Sequence, residues 1–386
     1  MTRGGWRTIE MMLAVVALLV ATWTYGAHEA DEAREELVRL DPNMAAPSPG
    51  GEFLWYDARA VGVEGRAWEA TKSFYDRLPA KAETVVREPV WKLSLHSAGM
   101  AVHFVSDSNR IAARWTVRNG NLAMPHMPAT GVSGLDLYVK DQGVWRWLGT
   151  GRPDQSPTNE KTLATDIPHG SHEYLLYLPL YNGIESLAIG IPKGAALAKA
   201  PAQPKPLCMY GTSITHGGCA SRPGMAYPAL LGRRLGYPVI NLGFSGNGTM
   251  DPEMGELLAE LDVSAYVLDC APNMDPALLS ERVVPFVLAL RKARPETPIV
   301  LVENIAYQQG AFLPKSRESY ENKNQAVRAA YDTLMAEGIG GLFYVEGKTL
   351  LGTDGEATVD GTHPTDLGFM RMADALEPAL RRCLGL

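Results

Sequence analysis

Cysteine is scarce. Only Cys208, Cys219, Cys270 and Cys383 occur in 386 residues. That is too few for a disulfide scaffold, and the spacing contains no C-x-x-C pair of the kind that marks structural zinc. An excess of positive charge is missing as well. Lys and Arg number 36 against 43 Asp and Glu, a formal net charge of −7. Nothing in that balance favours nucleic acid or an anionic membrane surface as a partner. Heptad tracts, collagen-like bias and polar repeats are also lacking. With 46% apolar and 20% charged residues, the chain is not mainly disordered. At roughly 100–200 residues per domain, the length allows two domains or three.

Beyond the N-terminus no segment is long and apolar enough to span a bilayer. The N-terminus itself differs. Arg3 and Arg7 precede an uncharged apolar run from Met11 to Tyr25, and an acidic stretch from His28 to Glu36 follows. Residues 1–27 therefore read as an export signal, cleaved near Gly26 or retained as a short anchor. No cysteine follows the run, so a lipoprotein anchor is not expected. Residues 28–51 read as a linker. An exported chain could pair its cysteines, but buried thiols at strand positions are the preferred reading of Cys208 and Cys270.

Residues 52–191 read as β. Ile111, Ala113, Trp115 and Val117 alternate with Ala112, Arg114 and Thr116, the period of a half-buried strand. Further short apolar runs lie at Val102–Val105, Leu135–Val139, Tyr174–Leu178 and Leu187–Ile191, with turn signals such as Asn119-Gly120-Asn121 and Tyr181-Asn182-Gly183 among them. The pattern predicts a β-sandwich of jelly-roll type. Residues 192–206 hold Pro192, Pro201, Pro204 and Pro206 among alanines, the composition of a stiffened linker. From 207 to 386 apolar runs at 207–210, 239–242, 265–268, 299–302 and 342–345 alternate with helical stretches at 227–235, 255–261, 278–294, 320–337 and 367–383. Pro285 is the expected kink in the third of these. This order predicts a parallel sheet between helices, with its chemistry at the carboxyl ends of the strands.

Four motifs fall at those ends. Gly211-Thr212-Ser213-Ile214-Thr215 follows the first strand. Asn241-Leu242-Gly243-Phe244-Ser245-Gly246-Asn247-Gly248 follows the second, and Asp269-Cys270-Ala271-Pro272-Asn273-Met274 the third. Asp360-Gly361-Thr362-His363-Pro364 precedes the last helix. Each alone has an ordinary explanation: a helix N-cap, a βα loop, a turn, an Asx-turn. Together they supply a nucleophile, backbone and amide donors, a base and an acid to orient it, which is the equipment of acyl transfer.

With these motifs the sequence resembles the SGNH (GDSL-type) hydrolase family over 207–386. It is most similar to the branch with an N-terminal G-x-D-L-Y β-sandwich domain, here Gly134-Leu135-Asp136-Leu137-Tyr138. The resemblance implies a flavodoxin-like three-layer α/β/α domain after the sandwich. It implies Ser213 as nucleophile, His363 as base and Asp360 as its orienter. It implies an oxyanion hole of the Ser213 and Gly246 N–H groups and the Asn273 amide. The family's usual Gly-Asp-Ser is Gly-Thr-Ser here, and its Gly-x-Asn-Asp is Ala271-Pro272-Asn273-Met274.

The expected activity is hydrolysis of short-chain esters, acetyl foremost, on a glycan or oligosaccharide. No metal or organic cofactor is expected. Nor is a nucleic-acid partner, or a membrane contact beyond the N-terminal segment. An O-acyltransferase on the same fold and a non-catalytic glycan-binding protein are the competing readings. Arg222, Asn247 and Tyr307 are candidate substrate contacts. Glu303 either faces the cleft or pairs with an arginine. Met124-Pro125-His126-Met127 is expected to pack the sandwich rather than cover the cleft. His169 and His172 read as surface turn residues.

Overall fold

The computed structural model describes residues 38–386. The expected signal segment 1–27, and the start of the linker after it, lie outside the described residues. Residues 40–386 form one compact body. Among the described residues no helix is long and apolar enough to cross a membrane.

The N-terminal half stacks two antiparallel sheets. One runs β1 (Ala46–Pro47), β2 (Phe53–Asp57), β10 (Ile184–Pro192), β5 (Ile111–Val117), β8 (Thr158–Ala164). The other runs β11 (Leu197–Lys199), β4 (Ala101–Ser106), β9 (His172–Tyr177), β6 (Leu135–Asp141), β7 (Val144–Gly151), with β3 (Val63–Glu64) also on β4. The alternation in β5 works as expected. Ile111, Ala113, Trp115 and Val117 point inward and meet Phe104, Leu135, Leu137, Tyr174 and Leu176 of the facing sheet. A large apolar side chain buried this way contributes about 1.5–3 kcal/mol.

Among the strands that no apolar run in the sequence marks, β7 and β8 are the longest. Both carry polar residues on an exposed face, and charge dilutes the apolar signal. The proline-rich stretch 192–206 also departs from a free linker: Leu197 is buried in the sandwich core, and β11 pairs with β4. A further departure is spatial. Leu78, Ala82, Val86, Val90 and Trp91 precede most of the sandwich, yet they pack into the core of the C-terminal half.

That half is a parallel sheet in the order β13 (Val239–Gly243), β12 (Leu207–Gly211), β14 (Ala265–Asp269), β15 (Ile299–Val302), β16 (Leu342–Val345). Alternate side chains divide between its faces. Cys208 and Tyr210 join one core with the helices Pro252–Ala259, Pro276–Ala293 and Pro314–Ala336. Leu207 and Met209 join the other with the helices Tyr227–Leu235 and Asp366–Leu384. The result is a flavodoxin-like α/β/α sandwich behind a β-sandwich. Pro285 is accommodated inside its helix. The helix expected from Tyr320 starts at Pro314, where proline's missing N–H costs nothing. All four cysteines are free; Cys208 is buried in β12 and Cys270 just past β14. The order reverses between β12 and β14, and in open parallel sheets ligands bind at such a switch point.

Candidate active site

β12 ends at Gly211 and a single helical turn, Ser213–His216, follows at once. Thr212 caps this turn, its Oγ1 accepting from the Ile214 N–H at 3.2 Å. That accounts for threonine at a position the wider family fills with aspartate, since both cap through a side-chain oxygen. Ser213 is largely buried, and its Oγ lies 2.9 Å from His363 Nε2.

His363 sits in an Asx-turn. Asp360 Oδ1 accepts from the backbone N–H groups of Thr362 (3.0 Å) and His363 (2.8 Å), and its Oδ2 lies 2.8 Å from His363 Nδ1. The loop is the expected Asx-turn, and the same carboxylate that closes it also meets the His363 ring at Nδ1. Partial burial pushes the Asp360 carboxyl up, but the bonds from His363 and Thr362 outweigh it and hold the group below its usual value. It is then an acceptor at neutral pH. In a neutral ring, an Nδ1–H facing this acceptor leaves Nε2 with a lone pair toward the serine hydroxyl.

The glycine-rich loop folds over the same turn. Asn247 N–H bonds to Phe244 O at 2.8 Å, and Gly246 sits at the third position with φ +70°. A β-turn of this shape favours glycine there. Gly248 passes so close to β12 that a Cβ would lie 2.1 Å from the Gly211 carbonyl oxygen. Its N–H donates to Asn273 Oδ1 at 3.2 Å. This fixes the Asn273 amide with its oxygen engaged, and its Nδ2 has no protein acceptor among the described residues. Behind the loop, the fully buried Arg77 donates to the carbonyls of Asn241 (3.0 Å) and Gly243 (2.8 Å), and to those of Leu93 and His96.

A cleft of about 450 Å³ opens over Ser213 and His363. Gly218, Ser245 and Asn247 line it from the C-terminal half. Pro89, Lys92, Leu93, His96, Met124, His126 and Tyr181 line it from the N-terminal half. The expectation that Met124 to Met127 pack the sandwich does not hold: Met127 packs into the core of the C-terminal half, and Met124 and His126 face the cleft. The His126 and His363 rings are 6.4 Å apart. Tyr181 was legible only as part of a turn. Its ring stacks on His216 at 4.1 Å, and its hydroxyl donates to Ser213 O at 3.4 Å. Burial, then Arg77, presses His96 down to about 3, and burial holds His216 well below the usual histidine value. Both are too weakly basic to compete for a serine proton.

Of the candidate substrate contacts, only Asn247 is at the cleft, where Arg87 holds its Oδ1 at 2.8 Å. Arg222 is elsewhere. Its Nη1 donates to Asp136 Oδ2 and to the Tyr138 hydroxyl, and its guanidinium also lies over the Trp147 ring. Tyr307 accepts from Lys323 Nζ and donates to Asn304, outside the cleft lining. Glu303 meets neither the cleft nor an arginine, because Tyr344 OH and the Gly347 N–H occupy its two oxygens. Among the described residues no group of His, Cys, Asp or Glu is arranged to hold a metal ion. His172 opens β9 and binds Pro168 O at 3.0 Å.

A model of the GDSL-like lipase/acylhydrolase family matches residues 204–381, and one of the GxDLY N-terminus of SGNH-hydrolase-type esterases matches residues 53–197. A solved protein of Bacteroides ovatus described as a GDSL-like lipase is 38% identical, with TM-score 0.82 over 86% of this chain and 98% of its own. The chain belongs to the GDSL-like lipase/acylhydrolase family. The fold is shared more widely. A salicylyl-acyltransferase of a tetracycline biosynthetic pathway is 21% identical, with TM-score 0.68 over 84% of this chain and 95% of its own. A family two carbohydrate esterase of Cellvibrio japonicus is 15% identical, with TM-score 0.57 over 86% and 98%. No curated protein sequence matches the chain. Family membership explains the Asp136 cluster: the aspartate and tyrosine of the GxDLY motif are the sandwich's grip on Arg222 and Gly224.

Proposed function

We propose that the protein is a serine esterase that removes short acyl groups, acetyl foremost, from a carbohydrate. The observation that carries the reading is the relay from Ser213 Oγ through His363 to Asp360, at 2.9 and 2.8 Å. His363 Nε2 takes the hydroxyl proton as Oγ attacks the ester carbonyl. The oxyanion is held by the N–H groups of Ser213 and Gly246 and the free Asn273 amide. One such donor is typically worth about 2.7–4 kcal/mol of barrier. His363 then gives its proton to the departing alcohol, and the acyl group stays on Ser213. A water molecule, deprotonated by His363, releases the acid and restores the serine.

The sugar part of the reading draws on the fold shared with family two carbohydrate esterases, one of them solved with cellohexaose. The small residues Gly218 and Ser245 beside Ser213 suit a short acyl group. Arg3, Arg7 and the apolar run to Tyr25 support a place outside the cytosol, where polymeric glycans are met.

A second reading is an O-acyltransferase that passes the same acyl group to a hydroxyl. Pro89, Leu93 and Met124 favour it, because apolar walls exclude water from an acyl-enzyme, and a salicylyl-acyltransferase shares the fold. Release of acetate from acetylated xylooligosaccharide, by wild type and Ser213→Ala side by side, tests the primary reading. Acetate release lost in the variant supports it. Acetyl transfer to added glycan without free acetate favours the transferase. Release that survives in the variant overturns Ser213.

A further inference from the structure

One buried acid beneath the nucleophile takes no part in the relay. Asp269 ends β14 and pairs in register with Gly211, two residues before Ser213. It is 1% exposed. Its Oδ2 accepts from Thr215 Oγ1 at 3.1 Å and from Tyr227 OH at 3.0 Å. Its Oδ1 is buried without a hydrogen-bond partner. Thr215 lies on the same helical turn as Ser213, so Thr212 caps the turn at its start and Asp269 grips it two residues past the serine. Tyr227 reaches the same oxygen from the next long helix and also touches Thr215 Oγ1, at 3.0 Å. The three groups make a closed triangle beneath the nucleophile.

No Lys or Arg side chain binds Asp269 among the described residues. Just past its own strand the neighbouring group is the Cys270 thiol, which burial and the aspartate charge hold well above its usual range. The Tyr227 phenol is held up in the same way. On the serine turn, His216 is committed to Leu180 O and the Tyr181 ring. Glu303, past the adjacent strand, is occupied by Tyr344 and Gly347. An ionised Asp269 would therefore have no counter-charge, and its Oδ1 would lack any donor. Leaving charge so unpaired in a buried site is costly. Burial accordingly pushes the carboxyl up to about 7, against the two hydroxyl bonds that pull it down.

We infer that Asp269 is a positioning acid for the nucleophile: in its protonated form it holds the Ser213 turn through Thr215 and Tyr227, and when it ionises the turn is drawn out of register with His363. The inference rests on the serine-esterase reading for its effect on turnover, but not for its effect on folding. Loss of the Asp269 proton then disturbs the nucleophile and sets an alkaline fall in the rate.

The test is the rate at which a fluorophosphonate labels Ser213 from pH 5 to 9.5, followed by the same profile for p-nitrophenyl acetate hydrolysis. The full chain, Asp269→Asn and Thr215→Val are compared. Asparagine keeps a carbonyl oxygen for the two hydroxyls and never ionises. Its profile should lose the alkaline fall, read as a change of shape whatever the level of activity. Thr215→Val should lower kcat about 10–100-fold with KM little changed, since it frees the turn without touching substrate. Rescue by Thr215→Ser would exclude a mere packing effect.

Stability supplies a reading that needs no turnover. Asp269 binds its proton more tightly in the folded chain (about 7) than at its ordinary value of 3.8. Between those values the native state holds the extra proton, so this group's contribution makes stability fall as pH rises. Asp269→Asn should remove that component from a melting series between pH 4 and 8. Superimposable wild-type and Asp269→Asn profiles, in labelling and in melting, overturn the inference. Labelling with a normal alkaline fall but no ester turnover overturns the esterase reading alone. No labelling of Ser213 at any pH overturns both.

Discussion

Asp136 Oδ2 lies 2.7 Å from Arg222 Nη1, joining β6 of the β-sandwich to the loop that follows the serine turn. The same oxygen accepts from the Gly224 N–H at 2.9 Å, and Oδ1 accepts from Trp147 Nε1 at 3.0 Å. Burial pushes this carboxyl up, opposed by Arg222, the Gly224 bond and Arg233. Replacing Arg222 with alanine strands the acid without its cation, a change that costs about 3–5 kcal/mol when the pair is buried. Because Arg222 is partly exposed, the lower end is expected. Denaturant unfolding should show a reduced midpoint, with Ser213 labelling retained in the folded fraction.

Removing the proposed nucleophile should have a different signature. Ser213→Ala should lower kcat by at least about 10⁴-fold while leaving the melting temperature almost unchanged. The side chain makes one hydrogen bond, to His363. Steady-state hydrolysis of p-nitrophenyl acetate and a thermal melt on the same sample check both halves of the statement.

Asp360→Asn isolates the orienting role. The amide oxygen can still close the Asx-turn on the N–H groups of Thr362 and His363. It cannot, however, stabilise an imidazolium through Nδ1. A loss of about 10²–10⁴ in kcat is expected, below the extreme for a buried triad aspartate because Asp360 is half exposed. The pH dependence has a definite sign. The folded carboxyl sits below its ordinary 3.8, so its contribution to stability is present above that value. It disappears as pH falls through the folded value. Asp360→Asn should flatten the acid limb of a melting-temperature series below about pH 4.

The parts of this molecule that were legible in the sequence are those with a strong local signal. Four of the five strands of the parallel sheet carry continuous apolar runs, β13 is interrupted only by Asn241, and the helix Tyr227–Leu235 is bounded as its pattern indicates. Ser213, Asp360 and His363 lie in short motifs at strand ends, where the fold class directs attention. Tyr181, Asp269 and Arg77 were not legible in those roles. Each acts through a contact between elements distant in sequence: Tyr181 on His216, Asp269 on Thr215, Arg77 on Asn241. Arg222 shows the converse. An arginine near a nucleophile suggests a substrate contact, but the acid it meets belongs to the other half of the chain.

Gly248 offers a steric prediction. A methyl group there would fall 2.1 Å from the Gly211 carbonyl oxygen, which cannot yield without moving the end of β12. Gly248→Ala should displace the loop that carries Gly246, and the bond that fixes Asn273 with it. A fall in kcat of about 10²–10³-fold is expected, the effect of losing an oxyanion donor. KM for p-nitrophenyl acetate should change much less. A variant with wild-type kcat would show that the loop is not close to the reacting oxygen.

Arg77 bears on how such a protein can be taken apart. Its guanidinium fills carbonyl groups at the end of β13 that have no other side-chain donor among the described residues, and it comes from a segment that precedes most of the sandwich. A clone starting at the parallel sheet would encode every residue of the serine relay, yet it would leave those carbonyls bare and the loop beside them unsupported. The unit that can be recombined, truncated or grafted is therefore the pair of halves together, and a hybrid with a foreign sandwich works only if its donor brings an equivalent arginine.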